Sequence, residues 1–543
     1  MIVSDRAAPL PTADVCVVGA GPVGLALALR LEELGLSVLI LESGPSGSRA
    51  TSTEFLAGNH AHPRASTYRG IGGTSALWGG RCVPFDDLDF EEREHVPHSG
   101  WPIPHASLST HYPAAAKFLQ AGQGDLPSVT ELAGEAFTLD AVERWSRTPV
   151  IAPVYEQRLT RSQSITVLTN ASVIGVALGE DGRVDALRLD DGREVVTPHE
   201  VVFAAGGLEI ARLLLGMQRD HPALFGGLEG PLGRFYQGHL TGYLAVAHLN
   251  DEQTIADMSL VVDANGYLYR RRLQPAPEHQ KSERLLNIVF WLDAISISDP
   301  SHGSGSLSLL YLLAKASGTY RWLSRGLAPR SGPRRKGEFL RHLRNIRSQD
   351  ASAARMIGML RQIWKDGERG MLTNPSGRFL LRYHAEQAPN PVSRVQLKGE
   401  PGEALTLEVD YRVQDADILS VLHAHHLLDQ WLRAKGYGKL DYLQPEEERF
   451  RSVLAQAFDG YHQIGLARMA SDPKDGVVDT NCRIYRISNL YLAGACVFPT
   501  GGHANPTLPA VALALRLAEH LAEVRQKRVS REPDARPRGL AGA

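Results

Sequence analysis

Apolar residues in this chain fall into short unbroken runs. Each run closes on glycine and leads into a stretch where apolar positions recur every three or four residues. The first is the clearest. Val15 to Val18 is continuously apolar, as a parallel strand covered on both faces must be. Gly19, Gly21 and Gly24 follow, and Leu25 to Leu34 then repeats with a helical period. After Gly35 a second apolar run, Val38–Leu41, ends in Glu42. The order strand, glycine turn, helix returns in "VVFAAGGLEIARLLL" (201–215) and in "NLYLAGACVFPTGGHANPTLPAVALALRLAEHL" (489–521). "SITVLTNASVIGVAL" and "VDALRLDDGREVV" alternate as strands, with an Asp-Gly hairpin signal. Farther on, 282–298 and 405–414 read as strands, and 416–438 as an amphipathic helix stopped by glycine.

The first forty-five residues carry chemistry as well as shape. Glycines at G-x-G-x-x-G spacing let the backbone approach a pyrophosphate, and the helix start offers N–H groups and positive dipole to it. An acid ending the second strand, here Glu42, can accept hydrogen bonds from ribose hydroxyls. These parts fit FAD and NAD equally. A second glycine cluster, "RGIGGTSALWGGRC" (69–82), predicts a loop around the distal side of a dinucleotide, with "SGWPIP" (99–104) after it as a rigid connector. A helix starting near Asn505–Thr507 would aim its N-terminus at an anion, such as the N1/O2 edge of a reduced flavin.

Composition narrows the class further. The 543 residues are 43% apolar and 22% charged with a net charge of −2, so no overall field draws nucleic acid or an anionic membrane. Cys16, Cys82, Cys482 and Cys496 form no CxxC pair and read as free thiols. With no secretory signal and no apolar stretch long enough to span a bilayer, a cytoplasmic enzyme is expected. Residues 307–347 combine apolar side chains with many arginines. They read as a membrane-surface or protein-docking element, a lid, or a solvated helical insert. The basic tail, 526–543, is expected to be disordered.

The N-terminal fingerprint, "GGTSALWGG", "YHQIGLARM" (461–469) and "NLYLAGACVFPTGGHANPTL" together resemble the glucose–methanol–choline (GMC) oxidoreductase family. "GWPI", "YHQIG" and "ANPT" are most similar to its pyranose and glycoside oxidases and dehydrogenases. The resemblance implies an α/β fold with a discontinuous Rossmann-like FAD-binding domain (1–245 and 455–525). A substrate-binding domain built on a large antiparallel sheet (246–454) completes it. FAD would be held by Gly19, Gly21, Gly24, Glu42, Gly73, Thr74, Trp78, Val173, Ala205, Gly206, Gly494, Ala495, Asn505, Pro506 and Thr507. Leu77 stands where some sugar oxidases carry a flavin-linking histidine, so the cofactor is expected to be noncovalent.

The same resemblance makes His462 and Asn505 the catalytic pair. A histidine suits removal of a hydroxyl proton because its ordinary pKa is about 6.5. Gln387, Asn390, Arg394 and His503 are candidates for substrate contact. The "HAHH" run at 423–426 lacks metal-site spacing and company, and no metal is expected. The activity implied is oxidation of a sugar or glycoside secondary alcohol, at C2 or C3 of the ring, with electrons passing to oxygen or another acceptor. A GMC enzyme acting on an aliphatic, sterol or natural-product alcohol is the main alternative. A flavin monooxygenase and an inactive flavin-bound subunit are more distant ones.

Overall fold

Val15–Val18 and Val38–Leu41 lie side by side in parallel, Val15 opposite Val38 and Val18 opposite Leu41. The computed structural model describes the chain apart from residues 6–10, 46–54, 58–59, 123–135, 198, 251, 320–337, 348–351, 353, 355, 359–360, 362–373, 399–405 and 531–543. The two runs form the middle of a six-stranded parallel sheet. Its order is Ile2–Val3, Ile165–Leu168, Val38–Leu41, Val15–Val18, Glu200–Phe203, Leu490–Leu492. Chain from both ends therefore builds one sheet, and Val15–Val18, Val38–Leu41, Glu200–Phe203 and Leu490–Leu492 are buried throughout.

The first helix spans Pro22–Glu33, starting three residues before the periodic run because proline is well placed in a first turn. It packs against the long C-terminal helix Thr507–Val529. Gly24 permits this closeness between helix and strand: a Cβ there would lie 2.1 Å from the Gly19 carbonyl oxygen.

The second sheet is antiparallel and eight-stranded. Its path runs Gly438–Tyr442, His239–Leu249, Arg378–Glu386, Ile288–Asp293, Leu268–Pro275, Phe137–Trp145, Arg81–Cys82, with Val261–Val262 paired off the edge. Alternation gives each strand two faces. Leu240 and Leu244 join Phe290, Leu381 and the helix Asp415–Lys435 in a core behind the sheet. His239, Thr241 and Tyr243 take the opposite face.

Several expectations need correcting. The domain boundary at 245 falls inside the strand His239–Leu249, and the earlier strands Arg81–Cys82 and Phe137–Trp145 also belong to the antiparallel sheet. A hydrogen-bonded sheet cannot be divided at a residue chosen from motifs alone. The strands Arg394–Lys398 and Thr406–Asp410 are not part of the second core. They pair with each other, Thr406–Asp410 also pairs with Phe55–Ala57, and Val395, Leu407 and Val409 are buried in the first core. The tail is ordered farther than its composition suggests, since the last helix continues to Val529. Arg525 pairs with Asp14 at 2.7 Å and Arg528 with Glu200 at 3.6 Å, while both bases favour the helix's negative end. Of the basic insert, helices Gly305–Ala316 and Glu338–Ile346 pack together, and the arginine-rich stretch 320–337 lies outside the described residues. No described helix is long and apolar enough to cross a membrane. All four cysteines are buried and unpaired.

Candidate active site

Loops at the carboxyl ends of five parallel strands open onto one cavity of about 530 Å³. Gly19, Gly21, Glu42, Val173, Ala205, Gly206, Gly494 and Ala495 line it from these loops, and Gly73, Thr74 and Trp78 from the second glycine cluster. Two glycines serve packing. A Cβ on Gly19 would meet the Ala204 carbonyl at 2.7 Å, and Gly24 does not line the cavity. Others serve the cavity itself: at Gly21, Gly206 and Gly494 a Cβ would find no protein atom closer than 3.9 Å. Their absent side chains leave room for a ligand, as a cradle for a dinucleotide needs.

Glu42 is turned toward protein as well as cavity. Its carboxylate accepts backbone N–H groups from Ala20 at 2.8 Å, Gly44 at 2.8 Å and Gly70 at 2.9 Å, tying both glycine loops together. Oε2 holds one of those bonds and keeps a lone pair for a ribose hydroxyl. The final helix starts at Thr507, where sequence placed it. Pro506, Thr507 and Ala510 face the cavity, and the N–H groups the first turn leaves without a helix partner are those of Thr507 and Leu508, because Pro506 and Pro509 have none and the Ala510 N–H bonds the Pro506 carbonyl at 2.9 Å. The residues present thus fit FAD at its pyrophosphate, ribose and anionic ring edge.

His462 and Asn505 meet at the far end of the cavity, Asn505 Nδ2 lying 3.2 Å from His462 Nε2. The groups around them fix where the protons sit. Asp459 Oδ2 lies 2.9 Å from His462 Nδ1, and a carboxylate only accepts, so Nδ1 carries the hydrogen. On the other side, Arg272 Nη2 lies 3.4 Å from Asn505 Oδ1, and a guanidinium only donates. Asn505 must then turn its amide hydrogens toward His462. Both ends of the chain leave Nε2 as the basic lone pair, pointing into the cavity.

Asp459 is the positioning group that sequence reasoning missed. Its Oδ1 accepts the backbone N–H of Gly460, Tyr461 and His462, and Oδ2 accepts that of His239. Burial alone would raise its pKa. The charge and hydrogen bond of His462, with His239 adding to them, instead hold the carboxyl well below the usual range. The signal was local, an acid three residues before the histidine.

Behind His462 stand two more histidines. His239 Nδ1 is 2.9 Å from His462 Nδ1, and His384 stacks on His239 with ring centres 4.4 Å apart. Burial pulls His239 down to about 3, with the His462 charge adding to it, and burial also pulls His384 far down, so both are neutral. Nitrogens of His239, His384 and His462 lie within 4.8 Å of one another, a spacing at which three imidazoles could hold a metal. Here His462 Nδ1 is committed to Asp459, and His384 Nδ1 to the His503 carbonyl at 2.9 Å.

His503 does not line the cavity. It is buried, with Nε2 donating to Asp86 at 3.1 Å and Nδ1 facing Arg272 at 3.5 Å. The other substrate candidates are structural too. Gln387 joins the Gly238 N–H to the Arg412 carbonyl, both at 2.8 Å, and Asn390 closes its own turn onto Val392. Arg394 starts an outlying strand, and none of the three faces the cavity. In the "HAHH" run, His425 is buried with Nδ1 on the Val421 carbonyl, and His423 pairs with Glu283.

The cavity's walls also include Thr241, Arg382 and His384 from the antiparallel sheet, which lie in no motif, together with Arg81 at the end of the second glycine cluster and exposed Tyr461 beside His462. Behind Arg81 and Arg382, buried Glu143 bonds Arg270 at 2.6 Å and Arg272 at 2.7 Å. Burial would raise its pKa, but these arginines hold it well below the carboxylate range.

Comparison with known proteins agrees with this arrangement. A family model described as GMC oxidoreductase matches residues 389–514, and one described as FAD dependent oxidoreductase matches residues 14–274. The 6'''-hydroxyparomomycin C oxidase of Streptomyces lividus is 24% identical, over 95% of this chain and 93% of that protein. Pyridoxine 4-oxidase from Mesorbium loti superposes with a TM-score of 0.50 at 18% identity, over 94% of this chain and 99% of that one. A fungal aryl-alcohol oxidase gives 0.51 at 15% identity, over 95% and 99%.

Proposed function

Because this chain belongs to the GMC oxidoreductases and is an FAD-dependent alcohol oxidoreductase, we propose that it oxidises a secondary alcohol of a sugar or glycoside to a ketone. The observation that carries the substrate reading is the wall next to His462. Thr241, Arg382 and Arg81 give it hydrogen-bonding groups, and exposed Tyr461 beside His462 offers an aromatic face. A sterol or aliphatic alcohol calls for an apolar wall instead. The relative named for 6'''-hydroxyparomomycin C is consistent with a sugar-bearing substrate.

The substrate hydroxyl sits between His462 Nε2 and Asn505 Nδ2. Asn505 donates to its oxygen, and Nε2 takes its proton. FAD, when bound, supplies the acceptor for the carbinol hydride. Asp459 stabilises the imidazolium that results and keeps the ring from turning. The buried, neutral His239 and His384 add no competing positive charge beneath it. The cofactor is noncovalent in this reading, since Leu77 offers no nucleophile, and oxygen or another acceptor takes the electrons.

Anaerobic mixing with sugars, glycosides, simple alcohols and NADPH tests the proposal through the flavin spectrum. Bleaching by a sugar or glycoside is expected. Bleaching by simple alcohols alone would move the substrate to the non-sugar class, and bleaching by NADPH alone would replace the reaction with monooxygenation.

A further inference from the structure

Apart from Asp459, whose carboxylate is committed to His462, the wall around Trp291 holds more positive than negative charge. Trp291 is ringed by four guanidinium groups, with Arg270 at 4.1 Å from the indole centre, Arg272 at 5.0 Å, Arg81 at 5.4 Å and Arg382 at 5.8 Å. Two carboxylates face them. Glu143 is fully buried and committed to Arg270 and Arg272, so Arg81 reaches only an oxygen already shared, at 3.4 Å. Asp293 accepts from the Tyr243 hydroxyl at 2.7 Å and lies 3.8 Å from Arg382 and 3.7 Å from Arg270, beyond hydrogen-bonding distance of both. Asp86, across His503, adds one negative charge on the far side of Arg272 and still leaves the group net positive.

Position separates the four. Arg270 and Arg272 are buried, while Arg81 and Arg382 each keep 32% of their side chain exposed and line the cavity. Arg382 is held in place by Thr241 at 3.4 Å and the Tyr243 hydroxyl at 3.2 Å. It stands two residues before His384 on one face of one strand, a step of about 7 Å along the sheet. That step carries a ligand from the imidazole cluster to the arginines within the width of a sugar ring.

We propose that the substrate is an anionic glycoside, one whose sugar or aglycone carries a carboxylate received by Arg382 and Arg81. This deepens and rests on the glycoside reading above. Arginine suits the task because its planar fork matches a carboxylate, whereas a neutral sugar needs no such excess of charge. An ammonium-bearing sugar would meet like charge here.

The test compares methyl glucoside, methyl glucuronide and a methyl aminodeoxyglucoside as anaerobic reductants of the flavin in the holoenzyme. The glucuronide is expected to half-saturate reduction at a concentration about 10- to 100-fold lower than the glucoside, with the amine weakest. Arg382→Gln should bring the glucuronide down to the level of the glucoside, and raised salt should erode the difference. Equal or better use of the glucoside or the amine would overturn the anionic assignment and leave the glycoside reading standing. If no glycoside reduces the flavin, the glycoside reading fails, and the charge claim is decided by titrating glucuronate against the oxidised flavin spectrum. A spectral change weakened in both Arg382→Gln and Arg81→Gln supports it. No change, or one indifferent to both substitutions, overturns it.

Discussion

At one end of the cavity Gly21, Gly206 and Gly494 present bare backbone from loops of the parallel sheet. At the other, Thr241, Arg382 and His384 present side chains from two antiparallel strands, with His239 buried behind them. The glycine end depends on what is missing, so its chemistry is written as short local motifs. The opposite end depends on what strands far apart in sequence bring together: His239 meets His462 from 223 residues away. Generic cofactor recognition and individual substrate recognition are thereby built by different means.

The largest effect is expected at the glycine end. Gly21→Val puts a branched side chain into space where a Cβ finds nothing nearer than Gly73 Cα at 4.0 Å. The purified variant should lack flavin absorbance and all activity, and a full flavin complement would refute the cradle. At the other end, His462→Ala should keep its flavin and slow its reduction by substrate about 10²–10⁴-fold, as read by stopped-flow absorbance. Reduction at the parent's rate would remove His462 from the chemistry. Asp459→Asn keeps a hydrogen-bond acceptor but loses the charge, and a smaller slowing of about 10²-fold is expected.

The smallest effect lies outside both ends. His425 is buried in the helix Asp415–Lys435, and burial pulls its pKa down to about 4. An unfolded histidine titrates near 6.5, so the unfolded chain binds this proton first as pH falls. Stability from this site is therefore lost progressively from about pH 6.5 to 4, amounting to about 3 kcal/mol at the lower end. In His425→Leu the drop in melting temperature between pH 7 and pH 5 should be smaller than in the parent. An identical drop would show that His425 does not contribute.

The same division explains what the sequence made legible. The parallel strands, the glycine turns and the start of the last helix at Thr507 follow from continuous apolar runs and punctuation that no distant partner can alter. His462 and Asn505, which meet at the cavity, each sit in a motif. Asp459 was within reach, three residues before His462, but an acid at that spacing is common on turns. Thr241, Arg382 and His384 were out of reach, because on an antiparallel strand only the pairing decides which face meets a cavity. Gln387, Asn390 and Arg394 misled for the converse reason, since polar residues near a proline turn serve that turn as readily as a substrate.

The central claim is that Asp459 acts through His462 and has no separate role. Flavin reduction rates in the parent, Asp459→Asn, His462→Ala and the double variant test it directly. Asp459→Asn should slow the parent about 10²-fold and change nothing once His462 is already alanine. Equal slowing in both backgrounds would show that Asp459 works independently, and the Asp459–His462 pair would not be the proton-accepting unit.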